Sequence, residues 1–150
     1  MRVFQNLDEY AAARGEHLGF GSWHEITQEQ IGLFADATGD HQWIHVDPEK
    51  AATGPFGATV AHGYLTLSLI PVLVKDVYTV ENLTMGVNYG LNRVRFPSPV
   101  TVGSRVRAGA ELLEVTEVPQ GKQAVVKVVV EIENAAKPAC VAETVVLLVA

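Results

Sequence analysis

Hydrophobic and polar residues alternate along the second half of the chain with the two-residue period of β-strands. In the clearest segment, every second residue from Ala124 to Ile132 is apolar, and Lys127 and Glu131 fall on the opposite face. Turns rich in proline and glycine separate the segments. The predicted strands are 84–96, 100–115, 122–133 and 140–149. The alternation slips around Asn92-Arg93-Val94, where a β-bulge is expected.

The first half of the chain shows helical spacing separated by loops. Thr27-Gln28-Glu29-Gln30 matches a capping box, with Thr27 as the N-cap, and Gly39 stands where a helix would end. Asp47, as a cap, and Pro48, at the first helical position, predict a second, short helix.

A third helix is expected from 62 to about 78, where apolar residues lie nearly all the way round the helix axis. The segment is too short to cross a bilayer, so the rest of the protein is expected to enclose it. Pro71 should bend or weaken this helix, because its ring removes one backbone hydrogen bond.

Helices followed by consecutive strands predict an α+β fold, with one domain over residues 1–150. The expected architecture is a curled antiparallel sheet wrapped around the long buried helix.

Composition narrows the classes of function. The net charge is −6, and no basic run alternates with aromatic residues, so nucleic acid is not expected as a partner. The only cysteine, Cys140, excludes a disulfide framework, and together with the lack of a secretion signal it favours a cytoplasmic location. No Cys/His cluster has zinc spacing, and no segment is long enough to span a membrane, so neither a metal nor a membrane is predicted.

The segment from Gly39 to Pro48 carries the strongest chemical signal. It places a carboxylate, Asp40, and an imidazole, His45, five positions apart. Residues at this separation lie about 140° apart on a helix and on opposite faces of a strand, so these two can converge only if the segment is a turn or loop. Such a pair suits general acid–base catalysis near neutral pH. Taken singly, Asp40 is equally well explained as a loop cap and His45 as a core histidine.

His62-Gly63 begins the apolar helix and offers a second feature. The first N–H groups of a helix lack internal partners, and glycine lets a ligand approach the backbone closely, so Gly63 is a candidate oxyanion site. Gly63 can also be explained as the start of a crowded helix. His62 is a weaker candidate, for catalysis, for orienting a neighbour or for capping the helix.

Three further residues are candidates for lining a substrate site. Gln42 can hydrogen-bond a ligand, Trp43 can pack against one or against the core, and Asn92 interrupts an apolar strand and can face the pocket. His41 is expected to point to solvent. Ser68 has no adjacent base, and Cys140 lies on a late strand, so covalent catalysis has little support.

These residues, in this order, resemble the MaoC-like family of (R)-specific enoyl-CoA hydratases of the hydratase 2 type. The family pattern is Gly-Asp, then Asn-Pro, an aliphatic residue and His, followed by His-Gly and an apolar helix. Here it reads Gly39-Asp40-His41-Gln42-Trp43-Ile44-His45, with His62-Gly63 following. The resemblance extends from about Trp23 to Val149. Together with Tyr89-Gly90-Leu91-Asn92-Arg93, the motif looks closest to the nodulation-protein-N-like branch.

The resemblance implies a hot-dog fold that pairs as a homodimer, with sites near the interface. It places the catalytic Asp and His on Asp40 and His45 and the oxyanion glycine on Gly63. Gln42 and Trp43 replace the family's Asn and Pro, and Trp43 is expected to narrow or reshape the pocket. The acyl chain should run beside the central helix, near Leu65 and Leu69.

The implied reaction is reversible addition of water to a trans-2-enoyl-CoA, giving an (R)-3-hydroxyacyl-CoA. It needs no cofactor, since CoA is part of the substrate. Two alternatives stay open. A hot-dog thioesterase would direct water to the carbonyl carbon, and a non-catalytic acyl-CoA-binding module would use the pocket without chemistry.

Overall fold

The computed structural model describes residues 1–150, and its main element is a six-stranded antiparallel sheet. Four long strands follow one another at the end of the chain, and two short strands from the first half extend the sheet. The strands are β2 (His17–Phe20), β3 (His24–Glu25), β5 (Met85–Arg95), β6 (Arg105–Val118), β7 (Gly121–Ile132) and β8 (Cys140–Val149). Their order is β2-β6-β7-β8-β5, with β3 also paired to β6. A separate parallel pair joins β1 (Arg2–Phe4) to β4 (Tyr78–Val80).

The four predicted strands are confirmed, with one boundary wrong. Residues 100–103 were expected to begin the second strand, but they lead into a turn in which Gly103 has φ +85. These residues instead bond to an earlier segment, through Val102 N–H to the Thr59 carbonyl and Ala61 N–H to the Val100 carbonyl. The predicted bulge is confirmed as a shift in register between Leu91 and Arg93 on β5.

Five helices connect or cover the sheet. They are α1 (Leu7–Ala12), α2 (Gln28–Thr38), α3 (Trp43–Val46), α4 (Pro48–Ala52) and α5 (Gly63–Val74). The predicted caps of α2 and α4 are confirmed, because the side chains of Thr27 and Asp47 accept the N–H groups of Gln30 and Lys50. No helix in the structure has the length and apolar character needed to cross a membrane.

Helix α5 lies against the sheet and packs on β6, β7 and β8. Leu65, Ile70 and Leu73 are buried on this side, in one core with the inward residues of the sheet. The expectation that α5 is enclosed on all sides is wrong for the single chain. Its opposite side is open, and Tyr64 is 72% exposed. The six-stranded curled sheet covers one side of α5, and nothing in the chain covers the other.

Candidate active site

The acid and the base of the sequence motif are carried by two consecutive short elements. Helix α2 ends at Gly39, which has φ +80 and donates its N–H to the Ala35 carbonyl. This left-handed turn, which glycine adopts without strain, redirects the chain into the irregular segment that carries Asp40. His45 then lies in α3, a single helical turn, so the prediction of a loop throughout is wrong for His45. The turn and the helix together bring the two side chains to the same place.

One hydrogen bond holds the buried side chain of His45. Its Nδ1 donates to the Val60 carbonyl at 2.6 Å. A carbonyl only accepts hydrogen bonds, so in the neutral ring the hydrogen is on Nδ1 and Nε2 keeps its lone pair. The geometry therefore leaves Nε2 of His45 as a base.

His62 contacts both members of the pair. Its Nε2 donates to the backbone carbonyl of Asp40 at 3.0 Å. Its ring stacks on the ring of His45, with centroids 3.8 Å apart and planes 21° apart. The ring of Phe34 packs against it at 4.9 Å. His62, a weaker candidate in the sequence, thus contacts both of the strongest candidates, Asp40 and His45.

The nitrogen of His62 that remains, Nδ1, is buried without a hydrogen-bond partner. Leaving a buried polar atom unpaired costs about 1–3 kcal/mol. The protein tolerates this cost in the middle of the candidate site, as functional sites often do.

Asp40, His45 and His62 each offer a ligand atom, and the three atoms lie within 4.8 Å of one another. This spacing raises the possibility of a metal centre. The ring lone pairs lie in the ring planes, and the two planes are nearly parallel, so a single ion cannot lie in both. Asp40 is also exposed, with one carboxylate oxygen accepting the Gln42 N–H at 3.3 Å. A water molecule suits this arrangement of acceptors better than a metal ion does.

Gly63 begins α5 directly after His62, and its N–H has no hydrogen-bond partner within the chain. A Cβ atom at this position would stand 3.2 Å from ring atoms of Phe96. The absence of a side chain thus allows the Phe96 ring to lie close to the start of the helix. The helix start is thus crowded, and the Gly63 N–H is left free.

The remaining candidates are not brought into this cluster. Trp43 packs on Gly54, where an added Cβ atom would stand 3.0 Å from the indole ring. The Lys50 ammonium lies over the same ring, 4.6 Å from its centroid. Gln42 is exposed and contributes only its backbone N–H. The prediction that His41 points to solvent is confirmed, since it bonds to the exposed Asp36 at 2.8 Å.

A cavity of about 430 Å³ lies between α5 and the strands β5 and β8. Asn88 lines it, whereas Asn92, the candidate from the sequence, does not line this cavity. One of the two register shifts on β5 falls between Leu91 and Arg93, at Asn92 itself, where the regular alternation of faces is interrupted. The apolar residues that line the cavity are Leu67, Ile70 and Leu91. Leu65, which was expected to line the acyl path, faces the core instead.

Two residues behind His45 were not identified as site residues from the sequence. The side-chain amide of Gln28 donates to the His45 carbonyl at 2.8 Å and accepts from the Thr59 hydroxyl. Gln28 stands in the capping-box motif, where a polar residue is expected for local reasons, and Thr59 stands in a loop. No local signal separates them from ordinary polar residues.

The sheet with one helix against it and the buried histidines at the helix start define a class of protein, the hot-dog hydro-lyases. The pattern of the MaoC-like domain matches residues 9–135, and the chain belongs to this family. The match begins earlier than the predicted limit near Trp23, since it includes most of α1, and it ends before the predicted limit at Val149.

Individual relatives agree with this assignment. The chain is 58% identical to 3-hydroxyacyl-thioester dehydratase Z of Mycobacterium tuberculosis over 151 residues, covering 100% of both chains. It is 47% identical to Nodulation protein N of Rhizobium leguminosarum, covering 95% of this chain and 91% of that protein. The structure of R-hydratase PhaJ1 from Pseudomonas aeruginosa superposes with a TM-score of 0.73 at 25% identity, covering 91% of this chain and 81% of that one. The hot-dog fold is confirmed.

Proposed function

We propose that this protein adds water reversibly to a trans-2-enoyl-CoA and forms an (R)-3-hydroxyacyl-CoA. The observation that carries the proposal is the cluster of Asp40, His45 and His62 directly before the free N–H of Gly63. One relative is named a 3-hydroxyacyl-thioester dehydratase and another an R-hydratase. Hydration and dehydration are two directions of one reaction, so these names support a hydro-lyase.

In the proposed mechanism, the thioester oxygen accepts a hydrogen bond from the Gly63 N–H. This bond stabilises the enolate-like charge that develops as water attacks, and one such donor is typically worth about 10²–10³ in rate. The position at a helix start adds the favourable end of the helix dipole.

The attacking water is held between the Asp40 carboxylate and Nε2 of His45. Its oxygen bonds to the β-carbon, one of its protons passes to the acid–base pair, and the pair delivers a proton to the α-carbon. The hydrogen bond from Nδ1 to the Val60 carbonyl supports His45 as the proton acceptor, because it leaves Nε2 with a lone pair. The acyl chain would extend along α5 into the cavity lined by Leu67 and Ile70.

The test is incubation with crotonyl-CoA, followed by the loss of enoyl absorbance, the release of free thiol and the chirality of the product. We expect loss of absorbance without thiol, and an (R)-3-hydroxy product. Rapid thiol release would support a thioesterase instead. Asp40→Asn should lower kcat by at least about 10²-fold, by the usual worth of a positioned acid–base group. No turnover by the native protein, together with unchanged acyl-CoA binding in Asp40→Asn, would favour a non-catalytic acyl-CoA-binding module. A loss of kcat under tenfold in both Asp40→Asn and His45→Gln would count against the proposed acid–base pair.

We further propose that two copies of the chain pair through β5. This strand is exposed on both faces and has no neighbour along one edge, which leaves its backbone groups free to pair with another strand. Exposed apolar residues cluster there and on the open side of α5: Met85, Val87, Tyr89, Leu91, Tyr64 and Val72. Sedimentation should give twice the chain mass, and Val87→Lys should shift the protein toward the monomer. A monomeric native protein at micromolar concentration would contradict the pairing.

A further inference from the structure

We propose that Gln28 and Thr59 are positioning residues that hold His45 in its reactive orientation, an inference that rests on the proposed hydration reaction. They form a chain of two hydrogen bonds behind the catalytic turn. Neither residue touches the space where substrate would bind; both act through His45.

The chain of hydrogen bonds runs in one direction. The Thr59 hydroxyl donates to Oε1 of Gln28 at 2.5 Å, and Nε2 of Gln28 donates to the His45 carbonyl at 2.8 Å. Because the His45 carbonyl can only accept, the amide nitrogen must face it, and the amide oxygen must then face Thr59. Thr59 is only 1% exposed, so its hydroxyl has no water to replace this partner. The buried Thr59 hydroxyl is therefore satisfied only when Gln28 is in place.

The position of His45 explains why such support is needed. Helix α3 has only four residues, fewer than an isolated helix needs for stability. The last carbonyls of a helix have no partner within it, and the His45 carbonyl is one of these. The Gln28 side chain supplies the missing donor from the first turn of α2. The catalytic turn is therefore tied to a longer, regular helix.

The same loop segment also holds α3 from the other side. Val60 donates its N–H to the Ile44 carbonyl at 3.0 Å, and its carbonyl accepts Nδ1–H of His45 at 2.6 Å. The segment is itself anchored, since the Thr59 carbonyl accepts the Val102 N–H at 2.9 Å. Thr59 and Val60 thus fix the backbone and the ring of His45 together. A misplacement of about 1 Å at a catalytic group can cost on the order of 10²-fold in rate.

Two nearly isosteric substitutions interrupt the chain at different points. Gln28→Glu puts a carboxylate oxygen against the His45 carbonyl and removes the donor, while it preserves the acceptor for Thr59. Thr59→Val removes the hydroxyl and preserves the shape. Thr59→Ser retains the hydroxyl and should restore function. Gln30→Glu is the matched control, because Gln30 lies on the same helix, its side chain makes no hydrogen bond, and the substitution adds the same charge.

With crotonyl-CoA, we expect Gln28→Glu and Thr59→Val to lower kcat at least tenfold with KM within twofold. Thr59→Ser and Gln30→Glu should stay within threefold of the native kcat. A kcat within twofold of native for both Gln28→Glu and Thr59→Val, even with a lower Tm, would overturn the proposal and leave the chain of bonds a purely structural feature.

A second readout separates this inference from the proposed reaction. The imidazole ¹⁵N and Nδ1–H resonances of His45 report its ring environment whether or not the protein turns over crotonyl-CoA. We expect both to shift in Gln28→Glu and Thr59→Val and to match the native protein in Gln30→Glu. Unchanged resonances in the first two variants would overturn the positioning role. An inactive native protein with shifted variant resonances would overturn the hydration reaction alone.

Discussion

Two histidine arrangements lie close together in the chain and differ in their surroundings. His41 is exposed, and its ring bonds directly to the carboxylate of Asp36 at 2.8 Å. His45 and His62 are 7% and 3% exposed, and each ring donates instead to a backbone carbonyl. From the sequence, His41 was expected to point to solvent although it stands directly beside Asp40, and the structure confirms this.

The comparison shows which features suit a histidine for proton transfer. A carboxylate partner stabilises the charged imidazolium, and the hydrogen bond that His41 donates to Asp36 raises the pKa of His41. A backbone carbonyl carries no net charge, yet it fixes which nitrogen holds the hydrogen. His41 therefore holds its proton more tightly than a free imidazole does, whereas the neutral rings of His45 and His62 each keep one nitrogen without a hydrogen. Burial and a hydrogen bond to a backbone carbonyl thus distinguish the proposed catalytic histidine from His41.

The strongest test of this contrast replaces one histidine from each arrangement. His45→Gln should lower kcat with crotonyl-CoA by at least about 10²-fold, because it removes the proposed base. His41→Gln should leave kcat within twofold, since His41 contacts only an exposed side chain. Steady-state kinetics on the two purified variants measure both values. Equal losses in the two variants would remove the distinction between the buried and the exposed histidine.

Gly63, next to the buried pair, gives the second largest expected effect. Gly63→Ala should lower kcat by about ten- to a hundredfold, less than full loss of an oxyanion donor, because the N–H remains while the new methyl group crowds it. Gly32→Ala is the control. A Cβ there meets nothing within 4 Å, and alanine favours the helix by about 0.5–1 kcal/mol.

A double variant separates the two explanations of Gly63. The added methyl group would also press on the ring of Phe96. If Phe96→Leu in the Gly63→Ala background restores the native kcat, crowding alone explains the loss. If activity stays low, the open approach to the Gly63 N–H is what the reaction needs.

His62→Phe should separate activity from stability in the buried pair. Phenylalanine retains the flat ring between His45 and Phe34 and removes the buried Nδ1 that has no partner, whose cost is about 1–3 kcal/mol. It also removes the hydrogen bond to the Asp40 carbonyl, worth about 1 kcal/mol net. We expect Tm unchanged or higher and kcat about fivefold lower. A lower Tm with native kcat would make His62 a core residue only.

The sheet could be predicted from sequence because its signal is local. The alternation along β7 gives the strand and its inward face directly, and the caps of α2 and α4 are set by adjacent residues. The short elements β1, α1, β2, β3 and β4 were missed, since their six or fewer residues show no period. The prediction that α5 is enclosed on all sides was wrong, because hydrophobicity shows that a face avoids water but does not show what covers it.

The candidate site was predictable only in part. The spacing of Asp40 and His45 indicates that they must meet on an irregular segment, which is local information. The contacts of His62 with both of them depend on how α5 is placed against α3, which no spacing reveals. Gln28 and Thr59 meet across 31 positions of the chain and look like a helix-start residue and a loop residue. The direction of the Asn92 side chain could not be predicted, because the strand has a register shift at this residue.

The smallest expected effect concerns the exposed pair, His41 and Asp36, and tests whether it is independent of the buried histidines. Asp36→Asn should lower the pKa of His41, because it removes the hydrogen bond and the charge that raise it. A histidine whose folded-state pKa is raised adds stability below its unfolded pKa of about 6.5 and loses it as the pH rises through the folded pKa. Any difference in Tm between Asp36→Asn and native protein should thus be present at pH 5 and shrink as the pH rises through the folded-state pKa of His41, with kcat unchanged throughout. An NMR titration of the His41 ring measures the shift directly; a His41 pKa that does not move, or a kcat that falls with it, would mean that the two histidine arrangements are coupled rather than independent.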